Sequence, residues 1–195
     1  MTTVVSAARE VKGLWFSSAR RYVLEAHGPD ALAAVVEQVP AAHRESLAAP
    51  LASAWYPEVS LQECLAAANR VLARGNRERM LEVLEGCAVV GVNRFFRIAL
   101  QLTSTAFALR TLPATWAHMR RGPGTMRVTI DDRVATIDYA RFPFFDDPNY
   151  RLLVLGTLRP LLRLSTGYEP RVEIVRYTTD TLQAKVAFGA HVDVT

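Results

Sequence analysis

Gly122-Pro123-Gly124 divides this chain into two stretches with different hydrophobic periods. Ahead of it, apolar residues recur every three or four positions, the spacing of a helix face. Behind it they alternate with polar ones, the spacing of a half-buried strand. Val11, Leu14, Trp15, Ala19, Tyr22, Val23 and Ala26 predict a helix from Ala8 to Ala26, ended by His27-Gly28-Pro29. A second helix is expected from Asp30 through Leu32, Val35, Val36 and Val39 to Pro40. Residues 42–54 are alanine-rich and interrupted by Pro50, so they read as a short, broken helix. Ser60-Leu-Gln-Glu63 has the form of a capping box, in which serine and glutamate satisfy each other's backbone N–H groups. The helix it opens should reach Ala73, with Gly75 as a left-handed stop. Another runs from Arg77 to Val90, and after Gly91 a long apolar one is expected from Asn93 to Leu109. That last helix carries Arg94, Arg97, Gln101 and Ser104 on one stripe, with Phe95, Phe96, Leu102 and Phe107 opposite.

Beyond the glycines, Met126, Val128 and Ile130 alternate with Arg127 and Thr129, Asp131-Asp132 marks a turn, and Val134 to Tyr139 reads as the partner strand. Residues 148–166 return to helical spacing, and 171–177 with 182–188 form a second hairpin around Thr179-Asp180. The fold class is therefore α+β: an N-terminal helical bundle followed by a four-stranded, mainly antiparallel sheet with a helix between two hairpins (β-β-α-β-β). The chain reads as a single domain over residues 1–195, with a helical part (1–121) and a sheet-bearing part (125–190).

Composition narrows the function classes. Of 195 residues, 50% are apolar and 22% charged, the balance of an ordinary globular protein. The longest apolar run, Cys87-Ala-Val-Val-Gly-Val92, is far shorter than the roughly 18–20 residues of a membrane span. The start, MTTVVSAAREVKG, has no basic leader before an apolar stretch, so no secretory signal is read and the cytoplasm is the expected compartment. Cys64 and Cys87 lie far apart, outside any Cys-x-x-Cys pair, and read as small buried hydrophobes. All the basic residues except Lys12 and Lys185 are arginines, but they are spread along the chain and the net charge is only +4. A nucleic-acid binder concentrates such charge on one face. Around the Gly75-Asn76 turn, Arg70, Arg74, Arg77 and Arg79 form the densest cluster, yet the interleaved Glu78, Glu82 and Glu85 fit ordinary intrahelical ion pairs.

Catalytic patterns are scarce. The sequence has no Gly-x-Ser-x-Gly, Walker-type or Gly-x-Gly-x-x-Gly motif. His27, His43, His118 and His191 are not spaced as helix-borne metal ligands, so no metal and no catalytic residue is assigned. Asp146-Asp147 is a possible carboxylate pair, but Asp147 before Pro148 is also what a helix start asks for, an acceptor followed by a residue with no N–H. Arg151, Arg159 and Arg163 on the helix that follows read as a solvated face. His118, at a helix end just before a strand, reads with Arg120 and Arg121 as a cation meeting the helix carbonyl end.

Val11-Lys-Gly-Leu-Trp-Phe16, Tyr56-Pro-Glu58, the helices-then-hairpins order and the ending Leu155-Gly-Thr-Leu158 through Gly167 into Val172-Glu-Ile174 together carry a resemblance. Across residues 10–190 the chain resembles the ligand-binding superfamily of heme–nitric-oxide-binding sensors, vinyl-reductase domains and a family of vesicle-tethering subunits. Within it, the chain looks most like a paralogous family of uncharacterised myxobacterial proteins. The resemblance implies a pocket for heme or an acyl chain between helices and sheet. It also places a heme-ligating histidine in a Leu-x-x-Leu-His pattern, which here reads Leu109-Arg-Thr-Leu112-Pro113. Proline offers no lone pair to iron. The Tyr-x-Ser-x-Arg motif that holds porphyrin carboxylates is replaced by Tyr139-Ala-Arg-Phe-Pro143. No cofactor is therefore expected.

Three classes follow from these readings. The first is a non-enzymatic regulatory or signalling module that holds an apolar small molecule, lined by Phe95, Phe96, Phe107, Trp116, Phe142, Phe144 and Phe145. The second is a protein-interaction scaffold without a pocket, a homodimer being one form of it. The third, arginine-mediated nucleic-acid binding, has the least support.

Overall fold

Gly13 is where the first departure from helical spacing originates. A Cβ at this residue would lie 2.0 Å from the Leu51 carbonyl oxygen and 2.9 Å from the Tyr56 ring, so only glycine admits that approach. The computed structural model describes residues 9–92, 104–166 and 170–188. In it, Glu10–Lys12 is a strand, β1, rather than the opening of a helix, and helix α1 spans Leu14–Gln38. The expected start at Ala8 is corrected. β1 is flanked on both sides by antiparallel partners, β2 (Trp55–Pro57) and β3 (Arg120–Arg121), and that pairing overrides the local helical pattern. This small three-stranded sheet has no signature in the sequence; each of its strands is too short to show a period.

α1 bends at Gly28, whose φ of 85° and ψ of 172° are not helical, and Pro29 opens its second arm as the Gly-Pro pair predicts. A 3₁₀ turn (Ala41–His43) and the short α2 (Glu45–Ala48) follow. Helix α3 runs Glu58–Ala68 and continues into a π-helical turn, Asn69–Ala73. Its start corrects the capping-box expectation. The Glu58 N–H donates to the Arg9 carbonyl at 2.8 Å, and the helix opens three residues early, with Pro57 in place of Ser60 as its cap position. Ser60 Oγ instead lies 3.0 Å from His43 Nδ1. Helix α4 (Arg77–Gly91) is capped by Asn76, whose side chain accepts from the Arg79 N–H, and it ends at the expected Gly91.

Helix α5 (Thr105–Met119) corrects the expected span Asn93–Leu109. Ser104 caps it, accepting from the Phe107 N–H at 3.2 Å, so Ser104 begins a helix and does not continue one. Arg94, Arg97, Gln101, Phe95 and Phe96 lie outside the described residues. α5 passes through Pro113 and brings His118 into its last turn.

Four strands, β4 (Thr125–Asp131), β5 (Val134–Ala140), β6 (Arg171–Tyr177) and β7 (Leu182–Ala187), form the expected antiparallel sheet in the order β4-β5-β7-β6, with a register shift between Ile174 and Arg176. Helix α6 (Pro148–Thr166) lies between the hairpins in sequence. Asp147 caps it: Oδ1 accepts from the Asn149 N–H at 2.8 Å and Oδ2 from the Gln62 amide at 3.1 Å. Asp147→Ala should lower the unfolding free energy by about 1 kcal/mol in urea denaturation; no change would show that the cap contributes nothing.

Buried faces join both parts in one cluster. Ala135, Ile137, Tyr139, Leu182, Ala184 and Val186 are buried on β5 and β7, and Met80, Leu109 and Leu158 from the helices belong to the same cluster. Two glycines set the helix spacing. A Cβ at Gly86 would fall 2.1 Å from the Tyr22 ring, and one at Gly156 would fall 2.6 Å from Leu84 Cβ. α4 therefore sits close against both α1 and α6.

Candidate ligand site

Small residues where α1, α4, α5 and α6 converge leave space that larger ones would fill. Ser18, Ala88, Gly91, Ala108 and Thr157 are among those lining a cavity of about 360 Å³. That volume lies within the roughly 300–1,000 Å³ of small-molecule sites. The hydroxyls on its wall are already satisfied. Ser18 donates to the Leu14 carbonyl at 2.8 Å, Thr111 to Ala108 at 2.7 Å and Thr157 to Leu153 at 2.7 Å. What remains facing the space is mainly Leu14, Leu112, Leu158 and Leu161 with the Trp15 ring and Met119.

Trp15, Leu112, Thr115, Met119, Thr157 and Leu158 also line a second cavity of about 80 Å³. Its far wall is aromatic and carries one cation, Arg120. Trp116 meets Tyr139 and Phe142 edge-on at 5.2 and 5.1 Å, and Phe145 meets the same two rings at 5.6 and 5.3 Å.

Behind that wall lies a buried polar cluster. Glu58 is 1% exposed. Its Oε1 accepts from Arg120 Nε at 3.3 Å and from the Tyr150 hydroxyl at 3.0 Å. The guanidinium of Arg120 lies 4.2 Å from the Trp116 ring centre and 5.3 Å from that of Trp15. Burial and the Glu58 charge both push the Tyr150 hydroxyl well above its usual range, so it stays a donor. Two buried atoms here lack a partner among the described residues, Trp15 Nε1 and Glu58 Oε2.

Burial also pushes the Cys87 thiol, on the larger cavity's wall, up to about 12, and the core thiol of Cys64 to about 11. Above their ordinary value of 9.0 the unfolded chain releases protons that the folded chain keeps, so stability falls as pH rises through this window. The melting temperature should drop as pH is raised past about 9 and drop less steeply in the Cys64→Ala, Cys87→Ala double variant. A flat profile for the parent protein would contradict the burial of these groups.

Of the aromatic residues expected to line a pocket, Trp116, Phe142 and Phe145 border the smaller cavity. Phe144 packs on Phe142 and Tyr150, with ring centres 5.0 and 5.1 Å away. Phe107 is 55% exposed and lines neither cavity. Phe95 and Phe96 fall outside the described residues. Sequence reasoning did not assign Trp15, Arg120, Glu58 or the small residues of α4 to a site. Trp15 and Glu58 lay in motifs that carried the resemblance, Gly91 was visible as a break, and Arg120 read as a cation at a helix end; nothing local signalled that Glu58 and Arg120 meet.

Among solved structures, the chain is similar to H-NOX domains. An Fe(II) unliganded H-NOX protein from K. algicida matches with a TM-score of 0.64 at 10% identity, covering 94% of this chain and 100% of that one. An oxygen-binding H-NOX domain related to soluble guanylate cyclases matches at 0.62 and 12%, covering 94% and 98%. A point mutant of the T. tengcongensis H-NOX matches at 0.65 and 12%, covering 93% and 99%. No protein-family model and no curated protein matches the chain. The chain thus shares the fold of these H-NOX domains at low sequence identity.

The residues present do not fit a heme in the way the resemblance would place one. Pro113 stands inside α5 and borders neither cavity. His118 borders the larger cavity, but from an exposed position in the last turn of α5. Arg141 is exposed with φ 57°, its carbonyl accepting from Arg9, while the Phe142 side chain is buried among aromatic rings. No clamp for porphyrin carboxylates exists among these residues. No helix among the described residues is long and apolar enough to cross a membrane.

Proposed function

We propose that this chain is a heme-less, non-enzymatic sensory or regulatory module that holds an apolar small molecule where α1, α4, α5 and α6 converge. The observation that carries this reading is the 360 Å³ cavity, whose wall hydroxyls are turned back onto their own helices. The likeness to H-NOX domains, one of them described as oxygen-binding, supports a small-molecule role. Native mass spectrometry of the purified chain should show a releasable apolar molecule, or uptake of an added one. Ala88→Phe, which puts a ring into the cavity from α4, should reduce that uptake at least about tenfold, the effect of losing about 1.4 kcal/mol of apolar contact. Uptake unaffected by the ring would place the ligand elsewhere. Expression with heme supplied should give no stoichiometric Soret band; such a band would overturn the heme-less reading.

A second reading, a protein-interaction scaffold, is favoured by the edge strand β6. Val175 and Tyr177 there are 47% and 49% exposed beside the register shift, an apolar pair on a strand with no second partner among the described residues. A mass that rises with concentration in light scattering, and falls back in Val175→Lys, would support it.

A further inference from the structure

We infer that the groove where α4, α6 and β6 meet is a separate binding site for a small phosphate monoester, held by Arg77, Arg151 and Asn149. It shares no lining residue with either apolar cavity, so it stands whether or not those hold a ligand.

Turns in the chain shape the groove. Arg74 and Gly75, with φ of 53° and 75°, separate the π-helical turn from α4, and Arg77 opens that helix on the groove wall. Ile174 and Tyr177 are three residues apart and would face opposite sides of a regular strand. The irregularity between Ile174 and Arg176 lets both line the groove, whose volume is about 450 Å³. Leu152 and Leu155 of α6 add apolar surface beside them.

Both charged residues on this wall are arginines, and neither has a carboxylate partner among the described residues. Arg77 is exposed and makes no hydrogen bond there. Arg151 is half-buried; its Nη1 donates to the Phe145 and Asp146 carbonyls, and its guanidinium lies 4.2 Å from the Tyr177 ring centre. Those contacts fix the guanidinium without neutralising it, and they leave Nε and Nη2 uncommitted. Asn149 supplies a neutral donor. Its side chain is buried, with the residue 7% exposed, and Oδ1 accepts from Asn69 at 2.8 Å. Nδ2 has no acceptor among the described residues, and unlike Asn69 Oδ1 it is not one of the sealed, partnerless atoms. The neighbouring acids are engaged elsewhere. Asp147 accepts from the Asn149 N–H and from Gln62, and Asp146 accepts from the Thr179 hydroxyl.

Charge then selects the ligand. Two uncompensated guanidiniums match a phosphate monoester, which carries about −1.5 to −2 near neutral pH, better than they match a singly charged carboxylate. Its oxygens can accept from both arginines and the amide together. The positive end of α4 adds to the same sign. The organic part of the ester then covers Leu152, Leu155 and Ile174.

Phenyl phosphate, inorganic phosphate and benzoate titrated into the full chain, with affinity read by calorimetry, test the site. Phenyl phosphate should bind at least about tenfold more tightly than benzoate, the increment of a further charge-assisted hydrogen bond, and severalfold more tightly than inorganic phosphate. It should also shift the Asn149 side-chain amide resonances in NMR spectra. Arg77→Glu removes an exposed, partnerless side chain, so the melting temperature should hold while phenyl phosphate affinity falls at least about tenfold. Arg79→Glu makes the same charge change outside the groove and should weaken binding less than about threefold, because solvent screens it. Equal weakening by the two variants overturns the site in favour of diffuse positive charge. Benzoate binding as tightly as phenyl phosphate overturns the choice of phosphate, and inorganic phosphate doing so overturns the monoester. Binding of none overturns the inference and leaves the apolar cavities untouched.

Discussion

Arg120→Met is expected to lower the unfolding free energy by about 3–5 kcal/mol, because it leaves the Glu58 carboxylate buried and unpaired. Against a typical domain stability of about 5–15 kcal/mol, that is a large fraction of the whole. The cause is specific. Glu58 is placed where β2 passes into α3, with its backbone N–H bonded to the Arg9 carbonyl and its side chain buried. Arg120 is the cation within ion-pair distance among the described residues, and it is held in turn by the pairing of β3 with β1 and by the faces of Trp15 and Trp116. If the unpaired charge is the cause, Glu58→Gln combined with Arg120→Met should be less destabilised than Arg120→Met alone by at least about 1 kcal/mol. Urea denaturation of the three proteins decides it; equal losses in single and double variants would assign the cost to packing.

Phe145→Ala should cost a comparable amount, about 3–5 kcal/mol, by leaving a hole that its surroundings cannot close. The side chain is 1% exposed and wedged against Tyr139 and Phe142. Its backbone N–H is fixed to the Thr179 carbonyl at 3.1 Å, and Phe142 is fixed to the Asp180 carbonyl at 3.0 Å. These bonds tie the 142–145 turn to the β6–β7 turn, so collapse is opposed from both sides. The hole would open into the smaller cavity, which Phe145 lines. Benzene should therefore raise the melting temperature of the variant more than that of the parent protein, since a dry apolar hole of that kind accepts such a ligand. A variant that loses less than about 1 kcal/mol, far below the usual large-to-small cost, would mean that the aromatic cluster repacks.

Most of the helices and all of the main sheet were legible, and the reasons are local. Asp147-Pro148 is a cap because an acceptor and a missing N–H sit next to each other in the chain. β4 and β5 show alternation because strands of seven residues are long enough for a period of two. Two of the misreadings share one cause. At Glu10–Lys12 and at Ser60, partners far along the chain claimed backbone or side-chain groups that local rules had assigned to a helix. At Ser104 the polar-stripe reading gives way to a local one it did not include: the side chain accepts from the Phe107 N–H and caps a new helix. The candidate site was half legible. Trp116, Phe142 and Phe145 could be picked by residue type, but their role as a wall depends on where α5 meets the sheet.

The sequence by itself determined the order of elements, the switch of period after Gly124, the bend at Gly28 and the cap at Asp147, since each depends on neighbours within a few residues. Only the tertiary structure decided that space remains between the helices and that a buried cluster of Glu58, Arg120 and Tyr150 forms behind its aromatic wall. Glu58 meets Arg120 across 62 positions and Tyr150 across 92. No periodicity or motif records such a meeting, because it depends on how close the packed helices can approach. That approach is set in turn by glycines such as Gly86 and Gly156.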